Sequence, residues 1–153
     1  MTLEGKTVLI TGSARRLGRE FALASARAGA NVIIHHANSP AEAKTTADEI
    51  IKIGRKSWVI QADLENPAQS KDLIDRSWEF SPIFALVNSA SIFEPVDWKE
   101  TTLDDWNRHM AINLTAPFLL SQAFARQVKD GTEGRIINIL DWRALRPGRS
   151  HFP

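Results

Sequence analysis

The stretch over residues 11–18, with the sequence TGSARRLG, constrains the fold of this chain more than any other. It follows the apolar run Thr7–Ile10, which is typical of a short buried strand, and it opens a segment whose apolar residues recur at helical spacing. A strand joined to a helix by a tight glycine turn directs unpaired backbone N–H groups and the positive end of the helix dipole at one point. Arg15 and Arg16 add positive charge there. The stretch therefore predicts a phosphate site.

The same stretch also has a simpler interpretation, as an ordinary strand-to-helix connection with solvated arginines. The residues at the carboxyl ends of the other predicted strands distinguish the two interpretations.

The positions predicted to form the inner face of the following helix are Leu17, Phe21, Ala24 and Ala28.

Apolar runs alternate with helical patterns along the rest of the chain. Further strands are predicted at 32–34, 58–60, 83–87 and 135–140, and helices at 40–53, from residue 67, and at 103–129. Because no hairpin signals separate the strands, they predict a parallel sheet with helices on both faces, an α/β doubly wound fold. Right-handed crossovers give the strand order 3-2-1-4-5, with a ligand crevice at the carboxyl ends of the strands. We expect one domain over residues 1–153.

Three residues suited to a nucleotide site fall at these carboxyl ends. Gly12 follows strand 1, Asp63 follows strand 3, and Asn88 ends strand 4. A carboxylate such as Asp63 could accept a hydrogen bond from an adenine amino group, and the alternative is that it is a helix cap or turn residue. The coincidence of all three at one edge of the sheet favours a dinucleotide over a plain connection.

The end of the second strand indicates which dinucleotide. An acidic residue there would bind the ribose hydroxyls of NAD, whereas a basic residue nearby suits the extra phosphate of NADP. The strand ends in His35 and His36 without an acid, and Arg15 and Arg16 are predicted near the same pocket. NADP is therefore the predicted cofactor. The two histidines could equally be a solvated strand end, and without a third ligand they make no metal site.

The composition excludes several classes of function. The chain has no cysteine, which excludes disulfides, thiolate catalysis and cysteine-ligated metals. Its formal net charge of +1 gives no reason to expect nucleic acid or an acidic membrane as a partner. The sequence shows neither a signal peptide nor a membrane-length apolar run, so a cytoplasmic protein acting on a small molecule is expected.

Together these motifs resemble the short-chain dehydrogenase/reductase family, over nearly the whole chain. Residues 11–18 resemble the family's T-G-x-x-x-G-x-G loop, Asp63-Leu64 its adenine-contacting pair, and residues 88–90 its N-A-G segment. Asn113 resembles the helix asparagine of the family's catalytic tetrad. The resemblance implies a Rossmann-like fold and an NADP-dependent oxidoreductase. The residues it assigns to the cofactor are Gly12, Ser13, Arg15, Arg16, Leu17, Gly18, His36, Asp63, Leu64, Asn88, Ser89 and Ala90.

The departures from the family pattern are similar to those of the pteridine reductases and their bacterial dihydropterin-reducing relatives. Arg16 stands at the family's middle glycine, Ser89 and Ser91 loosen the N-A-G segment, and Asp141 stands where the tetrad serine is usual. One position differs from that subgroup as well. Pteridine reductases have an arginine after the second strand where this chain has Asn38, so NADP selection would depend more on the arginines of the glycine turn.

The resemblance also implies roles for the substrate side of the site. A pterin-like or other flat carbonyl or imine substrate would lie against Ser91 and Phe93, with Asn113 and Asp141 as catalytic residues. Phe93 is nearly as well explained as a pocket-lining or core aromatic residue.

The tyrosine and lysine of the family's Y-x-x-x-K motif have no counterpart here. The chain contains no tyrosine, and the family's spacing would place it directly after Pro153. We therefore expect the front portion of a reductase, truncated and with its sheet incomplete at the C-terminal side, and little or no catalysis by these residues alone. The alternatives are a catalytically inactive NADP-binding fragment or remnant, and a structural fold with a degenerate site.

The resemblance implies a homo-oligomer for the intact family member. The apolar residues at 136–140 additionally predict an exposed edge strand that promotes self-association of the isolated chain.

Overall fold

The computed structural model describes residues 2–142 and 145. The strands in this part of the chain form one parallel sheet in the order β3-β2-β1-β4-β5, which confirms the predicted topology. The strands are β1 Thr7–Ile10, β2 Asn31–His36, β3 Ser57–Gln61, β4 Ala85–Asn88 and β5 Arg135–Asn138. The helices are α1 Arg16–Arg27, α2 Pro40–Lys52, α3 Pro67–Phe80, α4 Leu103–Met110 and α5 Ala116–Gln127, with a π-helical turn, Ala111–Thr115, between the last two.

Helices cover both faces of this sheet because the side chains of each strand alternate between the faces. In β1, Val8 and Ile10 pack with the residues of α1 and α2, whereas Leu9 packs with those of α3 and α5. In β2, Ile33 lies on the face of Leu9. All four side chains are almost fully buried. The middle of each central strand is therefore apolar on both faces, as in parallel sheets buried on both sides.

The inner face of α1 differs from the prediction. Its buried residues are Gly18, Ala22, Leu23 and Ala26. Of the positions predicted to face inward, Leu17, Ala24 and Ala28 are exposed and Phe21 is only partly buried. Gly18 sets this rotation, since it packs directly on the glycine turn and brings the residues four and eight positions later onto the sheet.

The predicted helix over 103–129 exists but is divided by the π-helical turn. Thr102 caps its start: the Asp105 N–H donates to Thr102 Oγ1 (3.1 Å), and the Thr102 N–H donates to Asp105 Oδ2 (2.9 Å). Hydrogen bonds from Thr102 also hold the pKa of the Asp105 carboxyl below its usual value. The cap fixes where the helix begins, close to the loop that follows β4.

Helical spacing predicts an apolar inner face for this helix at Leu103, Trp106, Met110 and Leu114, but three of these four residues are exposed. The exposed fractions of Leu103 and Leu114 are 71% and 58%, and Trp106 is also exposed. The core residues of the helix come instead from α5 and are Ala116, Leu120 and Phe124. The prediction was wrong because helical periodicity identifies an apolar stripe without showing which part of the helix reaches the sheet.

The strand β5 ends the strand order of the described residues. All four of its residues are exposed, as are Ile139 and Leu140 after it. The predicted apolar edge is therefore present, and the self-association predicted from it stays a prediction. None of the helices in residues 2–142 has the length and apolar character needed to cross a bilayer.

Candidate functional site

The glycine turn after β1 is shaped by two close backbone contacts. Gly12 has φ +66°, and a Cβ there would lie 2.9 Å from the Cα of Ala90. A Cβ on Gly18 would lie 2.4 Å from the carbonyl oxygen of Gly12. Real Cβ atoms do not approach backbone so closely, so both positions require glycine. The turn thus packs tightly against both the start of α1 and the loop after β4.

The first turn of α1 has the character of an anion site. Its N-cap residue, Arg15, is extended (φ −150°, ψ 171°) and makes no side-chain capping bond, and the first turn contains no acidic residue. The N–H groups of this turn therefore have no side-chain acceptor in the cap position. Arg15, Arg16 and Leu17 are all exposed beside them. This is the arrangement that favours phosphate.

Arg16 has an unusual backbone conformation. At φ +53° it is the one non-glycine residue with positive φ among the described residues. The left-handed region is open to glycine but costs other residues roughly 1–2 kcal/mol. Strain of this kind persists mostly at functional sites. Where the resembled motif has a glycine, this chain therefore has a strained arginine beside the candidate phosphate site.

Thr11 joins this turn to the loop after β4 and was not among the predicted site residues. Its Oγ1 accepts hydrogen bonds from the N–H groups of Ser89 (2.9 Å) and Ala90 (3.0 Å). Its own N–H donates to the carbonyl oxygen of Val87 (3.0 Å). The only sequence signal for this role is the threonine that opens the motif.

Ser13 is fully buried, and its hydroxyl is used inside the fold. It donates to the carbonyl oxygen of Ile10 (2.7 Å) and accepts from the His35 N–H (3.3 Å). The side chain therefore supports the turn from behind. A cofactor contact of Ser13 would have to come from its backbone.

The two histidines at the end of β2 are buried, which overturns their interpretation as a solvated strand end. His35 is 1% exposed and His36 is 5% exposed. The Ser39 N–H donates to His36 Nδ1 (3.3 Å), so His36 orders the turn that leads into α2. The ring of His35 contacts the glycine turn: the Gly12 N–H donates to its Nδ1 (3.0 Å), and its Nε2 lies 3.0 Å from the carbonyl oxygen of Ala62.

The segment after β3 presents Asp63 to solvent and buries Leu64. The Glu65 N–H donates to Asp63 Oδ1 (3.0 Å), and the Asp63 N–H donates to Gln69 Oε1 (2.7 Å). The turn interpretation of Asp63 is thus confirmed. It remains compatible with an adenine contact, because a carboxylate has a second oxygen to offer.

Asn88, at the end of β4, is buried and bonded across the sheet. Its Nδ2 donates to Asn138 Oδ1 (2.8 Å), directly opposite on β5, and to Ser121 Oγ (3.3 Å) on α5. In the described part of the chain, its buried Oδ1 has no hydrogen-bond partner. Asn88 thus joins β4, β5 and α5 where the loop of residues 89–93 begins.

Asn113 lies in the π-helical turn and holds the loop after β4. Its Oδ1 accepts from the Ile92 N–H and its Nδ2 donates to the Ile92 carbonyl oxygen, both at 2.9 Å. π-helical turns are rare and often mark functional sites. His109 is buried and was not among the predicted site residues. It binds the same loop two residues further on, where the Glu94 N–H donates to its Nε2 (3.4 Å). These two side chains fix the backbone on either side of Phe93.

Replacing Asn113 with alanine should loosen this loop without unfolding the protein. The variant loses two hydrogen bonds at an exposed site, so we expect a loss of about 1 kcal/mol in the free energy of unfolding. The Ile92 amide should exchange with solvent at least several-fold faster, as measured by NMR. The Ser89 and Ala90 amides, which Thr11 holds, serve as internal controls and should be unchanged. Equal acceleration of all three would contradict the local role of Asn113.

The predicted substrate-side residues lie on exposed segments. Ser91, Phe93 and Asp141 are exposed, and Phe93 retains 46% of its accessible surface. The alternative of a core aromatic at position 93 is therefore wrong. Within residues 2–142 and 145, no cluster of three or more histidine, aspartate or glutamate side chains could hold a metal ion.

Comparison with known proteins identifies the family. A family model described as short chain dehydrogenase matches residues 6–149. The chain belongs to the short-chain dehydrogenase family. The glycine turn, the loop after β4 and the π-helical asparagine all lie within the matched residues.

Individual relatives agree with this assignment. The chain is 31% identical to the NADPH-dependent aldehyde reductase-like protein of Arabidopsis thaliana, over 97% of this chain and 60% of the relative. A blue fluorescent protein from a metagenomic library, solved with NADPH, is 36% identical with a TM-score of 0.91, over 99% of this chain and 62% of that one. FolM alternative dihydrofolate reductase 1 from Brucella canis, solved with NADP, is 31% identical with a TM-score of 0.90, over 99% and 62%. The chain thus spans about three fifths of the length of these relatives.

Proposed function

We propose that this protein binds NADP(H) at the turn between β1 and α1. The observation that carries the proposal is the start of α1, where uncapped N–H groups, a glycine turn that no Cβ would fit and two exposed arginines converge. Helix N-termini of this kind bind phosphate. The solved relatives that contain NADPH or NADP support the proposal by their similarity to the whole chain.

We assign the extra phosphate of NADP to Arg15 and Arg16. The end of β2 carries no acidic residue that would repel it, and His36 orders the backbone of the adjoining turn. An exposed guanidinium can form charge-assisted hydrogen bonds to phosphate oxygens. The left-handed conformation of Arg16 is one that glycine would adopt without strain, so the presence of arginine there supports a role for its charge.

For the whole protein that contains these residues, we propose reduction of a pterin-like or other flat carbonyl or imine substrate. Bound NADPH supplies the hydride for such a reaction. The chain's own residues supply the surface: Asn113 and His109 hold the backbone around Phe93, whose exposed ring is suited to stacking on a flat ligand. Asp141 would orient the substrate or relay a proton.

A second candidate is cofactor binding without turnover. It is favoured by the composition, because a polypeptide of these 153 residues contains no tyrosine to serve as the family's proton donor. For this polypeptide we propose that NADPH binds and dihydropterin is not reduced. Oxidation of NADPH by dihydropterin in the presence of this polypeptide would overturn the second candidate, and failure to bind NADPH would overturn the cofactor site itself.

Two substitutions of Arg16 separate its charge from its backbone strain. Arg16→Ala and Arg16→Gly both remove the charge, so both should weaken NADPH binding by about tenfold while NADH binding changes little. Only the glycine variant relieves the left-handed strain, so it should be more stable than the alanine variant by about 1 kcal/mol. Fluorescence titration with each cofactor and chemical denaturation measure the two effects.

The matched control is Arg27→Ala, which removes an exposed arginine from the last turn of the same helix. It should leave the affinity for NADPH unchanged. If Arg16→Ala binds NADPH as tightly as the unmodified chain, the assignment of the extra phosphate to Arg16 is wrong.

A further inference from the structure

We propose that His35 is a positioning residue that ties the glycine turn to the end of β3. The Gly12 N–H donates to Nδ1 at 3.0 Å, and Nε2 lies 3.0 Å from the carbonyl oxygen of Ala62. Because Nδ1 accepts a hydrogen bond, Nε2 must carry the proton and donate to Ala62. One side chain on β2 therefore holds the segments that follow β1 and β3, on either side of its own strand.

The backbone of His35 strengthens the same connection. The Ser13 N–H donates to the His35 carbonyl oxygen (3.0 Å), and the His35 N–H donates to Ser13 Oγ (3.3 Å). The turn is thus bonded to His35 through two consecutive residues, Gly12 and Ser13. Since these two N–H groups are already used, the N–H groups available to a phosphate are those at the start of α1.

Only the neutral ring with its proton on Nε2 can make both side-chain bonds. A protonated ring would direct an Nδ1–H at the Gly12 N–H, and two donors cannot bond to each other. His35 is 1% exposed, and burial lowers the pKa of its ring to about 4. Against burial, the hydrogen bond to Ala62 raises this pKa; of the titratable neighbours, His36 lowers it and Asp63 raises it, while Gly12 and Ser13 on the turn side are uncharged.

This inference rests on the proposed NADP(H) site and assigns a residue that sets its shape. Gly12 belongs to the phosphate turn, and Ala62 directly precedes Asp63, the proposed adenine contact. By bonding to both segments, His35 fixes the distance between the turn proposed to bind phosphate and the residue proposed to contact the adenine. Its ring is buried behind the site, so it would act through Gly12 and Ala62 rather than by touching the cofactor.

Replacing His35 with asparagine or glutamine tests this proposal, because each amide side chain preserves one of the two hydrogen bonds of the His35 ring. In His35→Asn, Oδ1 can replace Nδ1 as the acceptor for the Gly12 N–H, and the bond to Ala62 is lost. In His35→Gln, the longer amide can replace Nε2 as the donor to Ala62, and the bond to Gly12 is lost. Ser77→Ala, which removes a fully buried hydroxyl from α3, is the control for general destabilisation.

We expect the affinity for NADPH, measured by fluorescence titration at neutral pH, to fall about five- to tenfold in His35→Gln and by less than about threefold in His35→Asn. The Gly12 amide should exchange with solvent about tenfold faster in His35→Gln, and near the original rate in His35→Asn. Ser77→Ala should lose stability without either change. A merely structural histidine would not produce this order between the two amides.

Equal affinities in all four proteins would overturn the inference, as would losses of affinity that simply follow stability. If the unmodified chain binds no NADPH, the proposed function fails. In that case the exchange rate of the Gly12 amide still tests whether His35 holds the turn. Equal rates in the two His35 variants would show that the hydrogen bond to Nδ1 does not hold it.

Discussion

Replacing Gly12 with alanine is expected to reduce the free energy of unfolding by about 2–5 kcal/mol. Two costs add. Alanine at φ +66° costs roughly 1–2 kcal/mol because its Cβ meets its own backbone. That Cβ would also lie 2.9 Å from the Cα of Ala90, and such overpacking against backbone costs about 1–3 kcal/mol more. Ala90 cannot move away easily, because Thr11 holds its N–H.

The chain provides a matched control in Gly5. It has nearly the same conformation, φ +70°, but a Cβ there would meet no heavy atom within 4 Å. Gly5→Ala should therefore show the conformational cost alone, about 1–2 kcal/mol. Chemical denaturation measures both variants, and the difference between them isolates the contact with Ala90. If Gly12→Ala is no less stable than Gly5→Ala, the close packing of the turn on the loop after β4 is wrong.

Acidification is expected to destabilise the protein through His35. The pKa of the ring is lowered from 6.5 to about 4, with burial as the largest cause, so the unfolded chain binds a proton that the folded chain excludes. Where the unfolded state binds more protons, stability falls as the pH falls. The contribution of His35 is therefore complete above pH 6.5 and is lost as the pH falls to about 4, with a total near 3 kcal/mol.

The His35→Asn variant isolates this contribution, since asparagine does not titrate. At neutral pH the unmodified chain should be the more stable of the two, and the difference should shrink as the pH falls through the window between 6.5 and about 4. Denaturation curves at several pH values give the difference directly. Ser77→Ala removes no titratable group, so its difference in stability from the unmodified chain should be the same at every pH. A constant difference for His35→Asn as well would mean that His35 does not exclude its proton in the folded state.

Sequence patterns predicted the sheet because its determinants are local. The continuous apolar run of β1, the prolines that begin α2 and α3, and the glycine that follows α2 define where each element begins and ends without reference to distant residues. The same holds for the strand order, since parallel strands joined by right-handed crossovers leave few topologies. The position of Gly12, Asp63 and Asn88 at one edge of the sheet follows from that order.

The packing of the site could not be predicted in the same way, because it depends on contacts between residues far apart in the chain. Ser13 is a polar residue of the glycine turn, yet its hydroxyl donates to the carbonyl oxygen of Ile10 and does not face solvent. His35 lies near the end of β2, and its ring is buried between the segments that follow β1 and β3, a contact that the sequence does not show. The rotation of α1 is set by the contact of Gly18 with Gly12, which helical periodicity does not report.

The hydroxyl of Thr11 has a consequence for how this protein can open. A single oxygen accepts two consecutive amides of the loop after β4, and the backbone of the same residue bonds to Val87. The glycine turn and residues 89–90 are therefore held together by Thr11 and should move as one unit. Separating the glycine turn from residues 89–90 would break both hydrogen bonds to the Thr11 hydroxyl, and Asn113 holds the next part of this loop at Ile92.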